Sequence, residues 1–443
     1  MSTERRDNSI YCPNEHKCPH DALDCKECGL PIIDYQREVD NLVNRLARKT
    51  SYFVPHIIGS FIGVGKRGSQ VVADLYQTFG DETPGVSYLN IESIKGQSNM
   101  PALPVGQTRF YRYTISETAV GGIIYCGIGE RAASKDTHLE SYLRMSGIRS
   151  DDPGQAIFLA GAVGGGAGSG VGPVLARAVK SLNHRASVLA VATVPSANEA
   201  DYSHFNAFYG LARLLGVDGD ANVDMLLVLD YDRLRHIRGV GRSGEELIAD
   251  QVITYLLRLF ERDLNQSGVI RMSKISKGSK IQVFVPCLAI GRSMEIFGSL
   301  TNVLESAGAY PMAQIDYKNV MASYLTLRVP ERLEADFPER MVVKEFELWN
   351  ARHCPSVTSN MVQILPTGEQ SDRVDACILL GGDNLSTTIR ETVVGYKRFK
   401  SSLETPSEWE QCGLSAQSAA EAENMIEQYD RDIQLLRESK TAI

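Results

Sequence analysis

The sequence predicts an α/β protein. Its parts are a parallel-sheet α/β domain, a long central helix, a second and smaller α/β domain, and a small Cys-rich module at the N-terminus. Three observations carry this. Continuous apolar runs of strand length alternate with helical patterns, as in a parallel sheet covered on both faces. Two of those runs end in glycine-rich turns followed by helix-like sequence. Cys12, Cys18, Cys25 and Cys28 fall within seventeen residues, whereas Cys126, Cys287, Cys354, Cys377 and Cys412 are scattered.

The chain's 443 residues suffice for two to three domains, and 43% hydrophobic residues predict packed cores. A net charge of −8 argues against general nucleic-acid binding. No apolar run reaches the length of a membrane span, and the N-terminus "MSTERRDNSI" lacks the apolar stretch of a signal peptide. A soluble, cytoplasmic chain without direct membrane insertion is expected. Nine cysteines, mostly isolated, do not form a disulfide framework in such a setting.

In chain order, residues 1–33 are rich in turn formers and poor in large apolar side chains, so another agent must hold them. Residues 34–50 read as a linker helix with Val39, Leu42, Val43 and Leu46 on one stripe. Residues 51–242 alternate strand and helix. "HIIGSFIGVGKRGSQVVADLYQTFG" is strand, glycine turn, helix; "GVSYLNIES" and "GGIIYCGIG" are strands. "QAIFLAGAVGGGAGSGVGPVLARAVKSL" repeats strand, glycine turn, helix, and "SVLAVATVP" and "MLLVLDYD" are further strands. Residues 243–264 form the long central helix, apolar at Leu247, Ile248, Val252, Tyr255, Leu256 and Leu259. Residues 265–402 hold four more strands and form the second domain. In the tail, 403–443, Ala419, Ala422, Ile426, Tyr429, Ile433 and Leu436 form a narrow helical seam. That seam fits either a partner helix over 419–436 or packing on the chain's own domain.

"GAVGGGAGSG", over 161–170, holds six glycines. Glycine permits positive φ and lets backbone N–H groups approach phosphate oxygens, and the following helix offers free N–H groups and the positive end of its dipole. Gly164, Gly165, Gly166, Ala167, Gly168, Ser169 and Gly170 are therefore candidate phosphate contacts, Ser169 adding a hydroxyl. No Lys-Ser or Lys-Thr closes the loop, which excludes a Walker A site. A tight strand–helix crossover needs only one or two glycines. The other turn, "GVGKRG", fits GxGxxG from Gly63 through Gly65 to Gly68, with Lys66 and Arg67 inside it. A dinucleotide fold would place an acid about twenty residues on, where Glu92 stands, but would leave the second loop unexplained. Two glycine loops on one sheet edge fit a mononucleotide polyphosphate gripped from two sides.

These motifs resemble the tubulin and FtsZ superfamily. "GGGAGSG" is similar to its GTP-binding motif, GGGTGSG or GGGTGTG, and "FIGVGKRGSQVV" resembles the first nucleotide loop of FtsZ, with Gln70 in place of an Asn. "ATVPSANEA" resembles the stretch that carries a ribose-contacting Glu, which implies that role for Glu199. "IADQVITYLL" resembles the start of the central helix, where an Asp reads guanine, which implies Asp250 as the base-reading acid. A carboxylate can accept from guanine N1 and N2 together. Where FtsZ has Pro-Asn-Asp, this chain has Asp230, Tyr231 and Asp232, and Tyr231 offers a ring for the base. FtsZ's Arg after the ribose Glu is missing. The resemblance implies GTP or GDP, with Mg as companion ion, and assembly with itself or a related subunit.

In that superfamily a docking subunit brings an NxDxxD loop whose acids polarise the attacking water. The matching stretch here is "GVIRMSKIS", where Arg271 replaces the Asn, and Ser273 and Ser276 replace the acids; Lys274 and Lys277 make it basic. The nearest carboxylates are Glu261 and Asp263 in the helix before it, the candidates if the alignment is off by a turn. Weak or absent intrinsic hydrolysis is expected, with catalytic acids coming from a partner, if at all. A non-polymerising regulator or scaffold, or a nucleotide-dependent enzyme, are the other classes these residues allow.

Cys25-x-x-Cys28 is a metal-knuckle spacing, and Cys12 and Cys18 complete four thiolates suited to structural zinc. His16 and His20 are alternative ligands, and an iron–sulfur cluster is the other thiophilic reading.

Overall fold

The computed structural model describes residues 10–11, 16–19, 25–28, 57–80, 85–93, 109–115, 123–149, 154–216, 222–237, 247–264, 267–368 and 372–441. The expected linker helix over 34–50, Cys12 and His20 lie outside them. The chain divides into two compact units, Met1–Pro55 and His56–Ile443. In the first, strands β1 (Ile10–Tyr11) and β2 (Lys17–Cys18) pair antiparallel, Ile10 opposite Cys18, and a turn spans 26–28.

The second unit is built on one sheet. Its first six strands are β3 (Gly59–Val64), β4 (Val86–Glu92), β5 (Phe110–Thr114), β6 (Ala156–Ala162), β7 (Ser187–Val194) and β8 (Met225–Asp230). Strands β9 (Val283–Ser293), β10 (Ala322–Pro330), β11 (Ser359–Thr367) and β12 (Arg373–Gly381) follow. Among the described residues the order is β11-β10-β12-β9-β8-β7-β6-β3-β4-β5. All neighbours from β5 to β9 run parallel, as do β10 and β11, while β12 is antiparallel to β9 and β10. Strands β3, β4 and β7 are buried at every position, which is why they read as unbroken apolar runs rather than alternating ones.

The main helices are α1 (Gly65–Phe79), α2 (Cys126–Lys135), α3 (Leu139–Met145), α4 (Gly166–Leu182), α5 (Asp201–Leu215), α6 (Tyr231–Leu234), α7 (Ala249–Asp263) and α8 (Gly268–Ser279). Then come α9 (Leu300–Gly308), α10 (Glu339–His353), α11 (Arg390–Ser401) and α12 (Ala416–Thr441). The expected second domain continues the same sheet. Strand β9 joins β8 only through Leu226–Val283 and Leu227–Phe284, and beyond that seam a separate core gathers around Trp349, Phe346 and Leu327.

Three expectations are corrected. "GGIIYCGIG" is not a strand: helix α2 starts at Cys126, whose N–H donates to Asn206 Oδ1 at 2.9 Å. "GVIRMSKIS" is not a loop but lies within helix α8, entered through Ser267 in the left-handed region at φ 58°. The seam of the last helix needs no partner helix over 419–436. Ala419, Ala422, Ile426, Tyr429 and Ile433 are buried in the chain's own core, and Leu436 packs against it. Lys400 holds Glu423 at 2.7 Å, and Leu385 N–H donates to Asp430 at 2.6 Å. Strand β5 and helix α10 add to the elements read from sequence. No helix among the described residues is long and apolar enough to cross a membrane.

Candidate functional site

Strands β3, β6, β7 and β8 are consecutive neighbours and parallel, so the loops leaving them open on one carboxyl edge. Ligands of doubly wound sheets bind at such an edge. Helices α1 and α4 start there, and neither has an acid in its first turn or a side-chain cap. Their first N–H groups are left for an outside acceptor.

Gly65 takes φ +70°, and a Cβ there would lie 3.2 Å from Ala167 Cβ, so the two glycine loops touch. Other glycines serve packing instead. A Cβ on Gly168 would stand 2.2 Å from the Ala162 carbonyl oxygen, and one on Gly170 2.0 Å from that of Cys126. Gly63 and Gly68 are closed the same way, against each other and against Ala160. Gly166 packs against the backbone of Ile124 and Tyr125. Much of the glycine count thus lets α4 lie tight on β6 and α2. Gly165 faces open space, a Cβ there meeting nothing nearer than the Ala162 carbonyl oxygen at 3.9 Å, while one on Gly164 would stand 3.2 Å from Pro195 Cβ. Ser169 is corrected from ligand to scaffold: it is fully buried and donates to the carbonyls of Gly165, at 2.8 Å, and Val163.

Glu199 is exposed in the loop after β7. Its Oε1 accepts from Ser196 N–H at 3.0 Å, and its Oε2 stands 3.6 Å from where a Gly164 Cβ would be. Asp232 fixes that loop, accepting from Ser196 Oγ at 2.7 Å and Ala197 N–H at 2.9 Å. Against desolvation, these donors and Arg235 hold its carboxyl below the usual range. Asp230 accepts from Asp232 N–H, and burial pushes it up. The two acids flanking Tyr231 are therefore engaged in holding the loop and the start of α6.

Asp250 stands in the first turn of α7. Its Oδ1 is shielded from solvent and has no hydrogen-bond donor, only Arg67 Nε at 3.4 Å. The Arg67 guanidinium lies 4.0 Å from the centre of the Tyr231 ring, and that of Arg235 lies 4.7 Å from it. Arg67 thus links α1, α6 and α7 where the base is expected. Lys66 is exposed, while Gln70 donates to Asp74 Oδ1 at 2.8 Å. Burial raises Asp74, and the nearby Asp250 charge adds to it, against the Gln70 hydrogen bond.

Asn206 was not found from sequence. It is fully buried and donates to the carbonyls of Ile124 at 2.8 Å and Gly164 at 3.1 Å, while accepting from Cys126 N–H. It ties the start of α2 to the glycine loop. A lone Asn within a helical pattern gave no signal of this.

Glu261 and Asp263 are corrected as catalytic candidates. Glu261 is fully buried, accepting from the Tyr88 hydroxyl and pairing with Arg258 at 2.7 Å. Asp263 is also fully buried and accepts from Val269 N–H. Burial raises it to about 6, against that N–H and the charge of Arg271. Neither can meet a second subunit. Ser273 and Ser276 likewise face inward, Ser276 donating to the Asp224 carbonyl at 3.0 Å. The exposed residues of α8 include Arg271, Lys274, Ile275 and Lys277.

In the N-terminal unit, the ligand atoms of His16, Cys25 and Cys28 lie within 4.8 Å of one another. Cys18 is buried in the same cluster as Cys25 and Cys28.

Comparison with known proteins agrees with this architecture. Residues 121–239 match the family model described as Tubulin/FtsZ family, GTPase domain. Cell division protein FtsZ of Methanothermobacter thermautotrophicus is 21% identical over 268 residues, covering 58% of this chain and 66% of that protein, just under two thirds of its length. Among solved structures, CetZ2 from Haloferax volcanii, a GTPgS-bound protofilament, superposes with a TM-score of 0.61 at 19% identity, over 78% of this chain and 99% of the other. GDP-bound monomeric CetZ1 from the same organism gives 0.59 at 18%, over 77% and 99%. The empty FtsZ dimer of M. jannaschii gives 0.57 at 16%, over 80% and 95%. The fold is that of FtsZ and CetZ, and the family match supports the tubulin/FtsZ superfamily for this chain.

Proposed function

We propose that this protein binds GTP or GDP, with magnesium, on the carboxyl edge of β3, β6, β7 and β8. It assembles in the cytoplasm with itself or a related subunit into filaments or heteromers. The observation that carries the reading is the joining of two uncapped helix N-termini by touching glycine loops, with a donor-less carboxylate, Asp250 Oδ1, across from them. The bare N–H groups of α1 and α4 take the phosphates, Gly65 and Gly165 leaving room for them. Glu199 stands beside Gly164 for the ribose. Asp250 accepts from guanine N1 and N2 once Arg67 withdraws, and the base replaces a guanidinium on Tyr231.

Hydrolysis is slow in this reading, because α8 offers a docked neighbour cations and no carboxylate. A partner with acids at that position would restore it. The N-terminal unit is proposed to be a knuckle held by structural zinc, lending that segment the stability its few apolar residues cannot.

The test is the nucleotide retained on purification, its phosphate count, and calorimetry with GTP, ATP and NAD. Guanine nucleotide with little phosphate release, together with GTP-dependent light scattering, is the expected result. NAD binding without GTP binding refutes the site. Concentration-dependent GTP turnover by the purified protein refutes the hydrolysis reading alone.

A further inference from the structure

We propose that the zinc ligands of the N-terminal unit are His16, through Nδ1, and the thiolates of Cys18, Cys25 and Cys28, with Glu27 orienting the imidazole and Cys12 not required. The inference rests on the metal-knuckle reading and decides which of its ligand sets is used.

The geometry favours the imidazole. Cys25 Sγ and His16 Nδ1 are 3.6 Å apart. A tetrahedral zinc with bonds of about 2.3 Å to sulfur and about 2.0 Å to nitrogen separates those two ligands by roughly 3.5 Å. The pair therefore already stands along one edge of a coordination tetrahedron. Cys28 shares the cluster, all three ligand atoms lying within 4.8 Å.

The second ring nitrogen supplies the independent argument. His16 Nε2 faces Glu27 Oε2 at 3.6 Å. Metal-bound histidines characteristically give their other nitrogen to a carboxylate, which fixes the tautomer and makes the ligating nitrogen more basic. Glu27 lies inside the Cys25–Cys28 turn, so the knuckle that offers two thiols also offers the carboxylate that aims the imidazole.

Cys18 closes the set. It is buried and packed with Cys25 and Cys28, outside the group of three whose ligand atoms lie within 4.8 Å, and its thiol donates to the His16 carbonyl at 3.3 Å. His16 immediately precedes strand β2, whose Cys18 stands opposite Ile10 of β1. On metal binding the three thiols lose their protons to solvent, and no electrons move. The resulting centre carries a charge of about −1 with no open position, so it is structural.

The full chain is purified without chelator, its metal counted by mass spectrometry, then exchanged with cobalt(II) and read by absorption. One equivalent of zinc and a cobalt spectrum of three sulfurs and one nitrogen are expected, unchanged in Cys12→Ser. His16→Ala should weaken cobalt binding at least tenfold, Glu27→Gln by a smaller factor, and Cys25→Ser should abolish it. Far-UV circular dichroism confirms that each variant's large unit is folded. Loss of metal in Cys12→Ser, with an unchanged spectrum in His16→Ala, overturns the ligand set and leaves the knuckle standing. Wild-type protein that takes up no zinc, or carries an iron–sulfur chromophore, overturns both.

Discussion

The carboxyl edge of β3, β6, β7 and β8 and the outer face of α8 are opposites in chemistry. The edge presents bare backbone N–H groups, Gly65 at positive φ, and an acid without a hydrogen-bond donor. The face of α8 presents Arg271, Lys274 and Lys277, while its serines turn inward and the acids of α7 lie in the core. In the proposed function, holding a polyphosphate and activating water rest on separate residues, so that one set can be complete while the other is missing. Acids near the expected catalytic position in the sequence have become part of the frame.

Glu261→Ala tests that last statement with the largest effect. Removing the buried carboxylate that pairs with Arg258 should cost about 3–5 kcal/mol in denaturant unfolding. Undiminished stability together with altered GTP turnover would return Glu261 to the catalytic side. Asp250→Ala probes the edge. Loss of charge-assisted hydrogen bonds to the base should weaken GTP by about 2–4 kcal/mol, roughly 30- to 1,000-fold in Kd, and erase the preference over ATP, as measured by calorimetry. Equal affinity in the variant would remove Asp250 from the site.

Asp263 gives a smaller, pH-dependent effect. Its folded pKa of about 6 lies above the ordinary carboxylate value, so the fold favours the protonated form. Stability is undiminished below about pH 4 and is lost as pH rises through about 6, by no more than about 3 kcal/mol. Asp263→Asn, which still accepts from Val269 N–H, should flatten that slope in melts at pH 4.5 and 7.5. The smallest effect belongs to Arg67→Gln. It removes a half-exposed contact with Asp250 and Tyr231, worth about 0.5–1 kcal/mol. GTP should bind two- to fivefold tighter, whereas weaker binding would make Arg67 a phosphate ligand.

The strands were legible because β3, β4 and β7 are buried on both faces and read as unbroken apolar runs. The glycine loops were legible as loops between strand and helix, but not the division of labour within them. That Gly168 and Gly170 serve packing follows from Ala162 and Cys126, partners that the sequence does not bring together. The start of α2 was misread because its first N–H is satisfied by Asn206, eighty residues away. Helix α8 was missed because no acid stands in its first turn, Gly268 opens it, and its N-cap Ser267 sits in the left-handed region without capping it. The inward turn of Ser273 and Ser276 depends on packing against β7 and β8, which no local pattern records.

The junction between β8 and β9 has a mechanical side. Two residue pairs carry the sheet across it, and Val283, the first residue of β9, gives its N–H to the hydroxyl of Tyr429 at 3.1 Å. Eight residues on, Arg437 donates to the Gly382 carbonyl at 3.0 Å, just past the end of β12 that pairs with the start of β9. The last helix is therefore a brace, hydrogen-bonded to the β9–β12 side of a thin weld and packed on the other side against α5. A strain passed along a row of such molecules would be shared between weld and brace. A chain cut after residue 415 would bend where the intact one transmits.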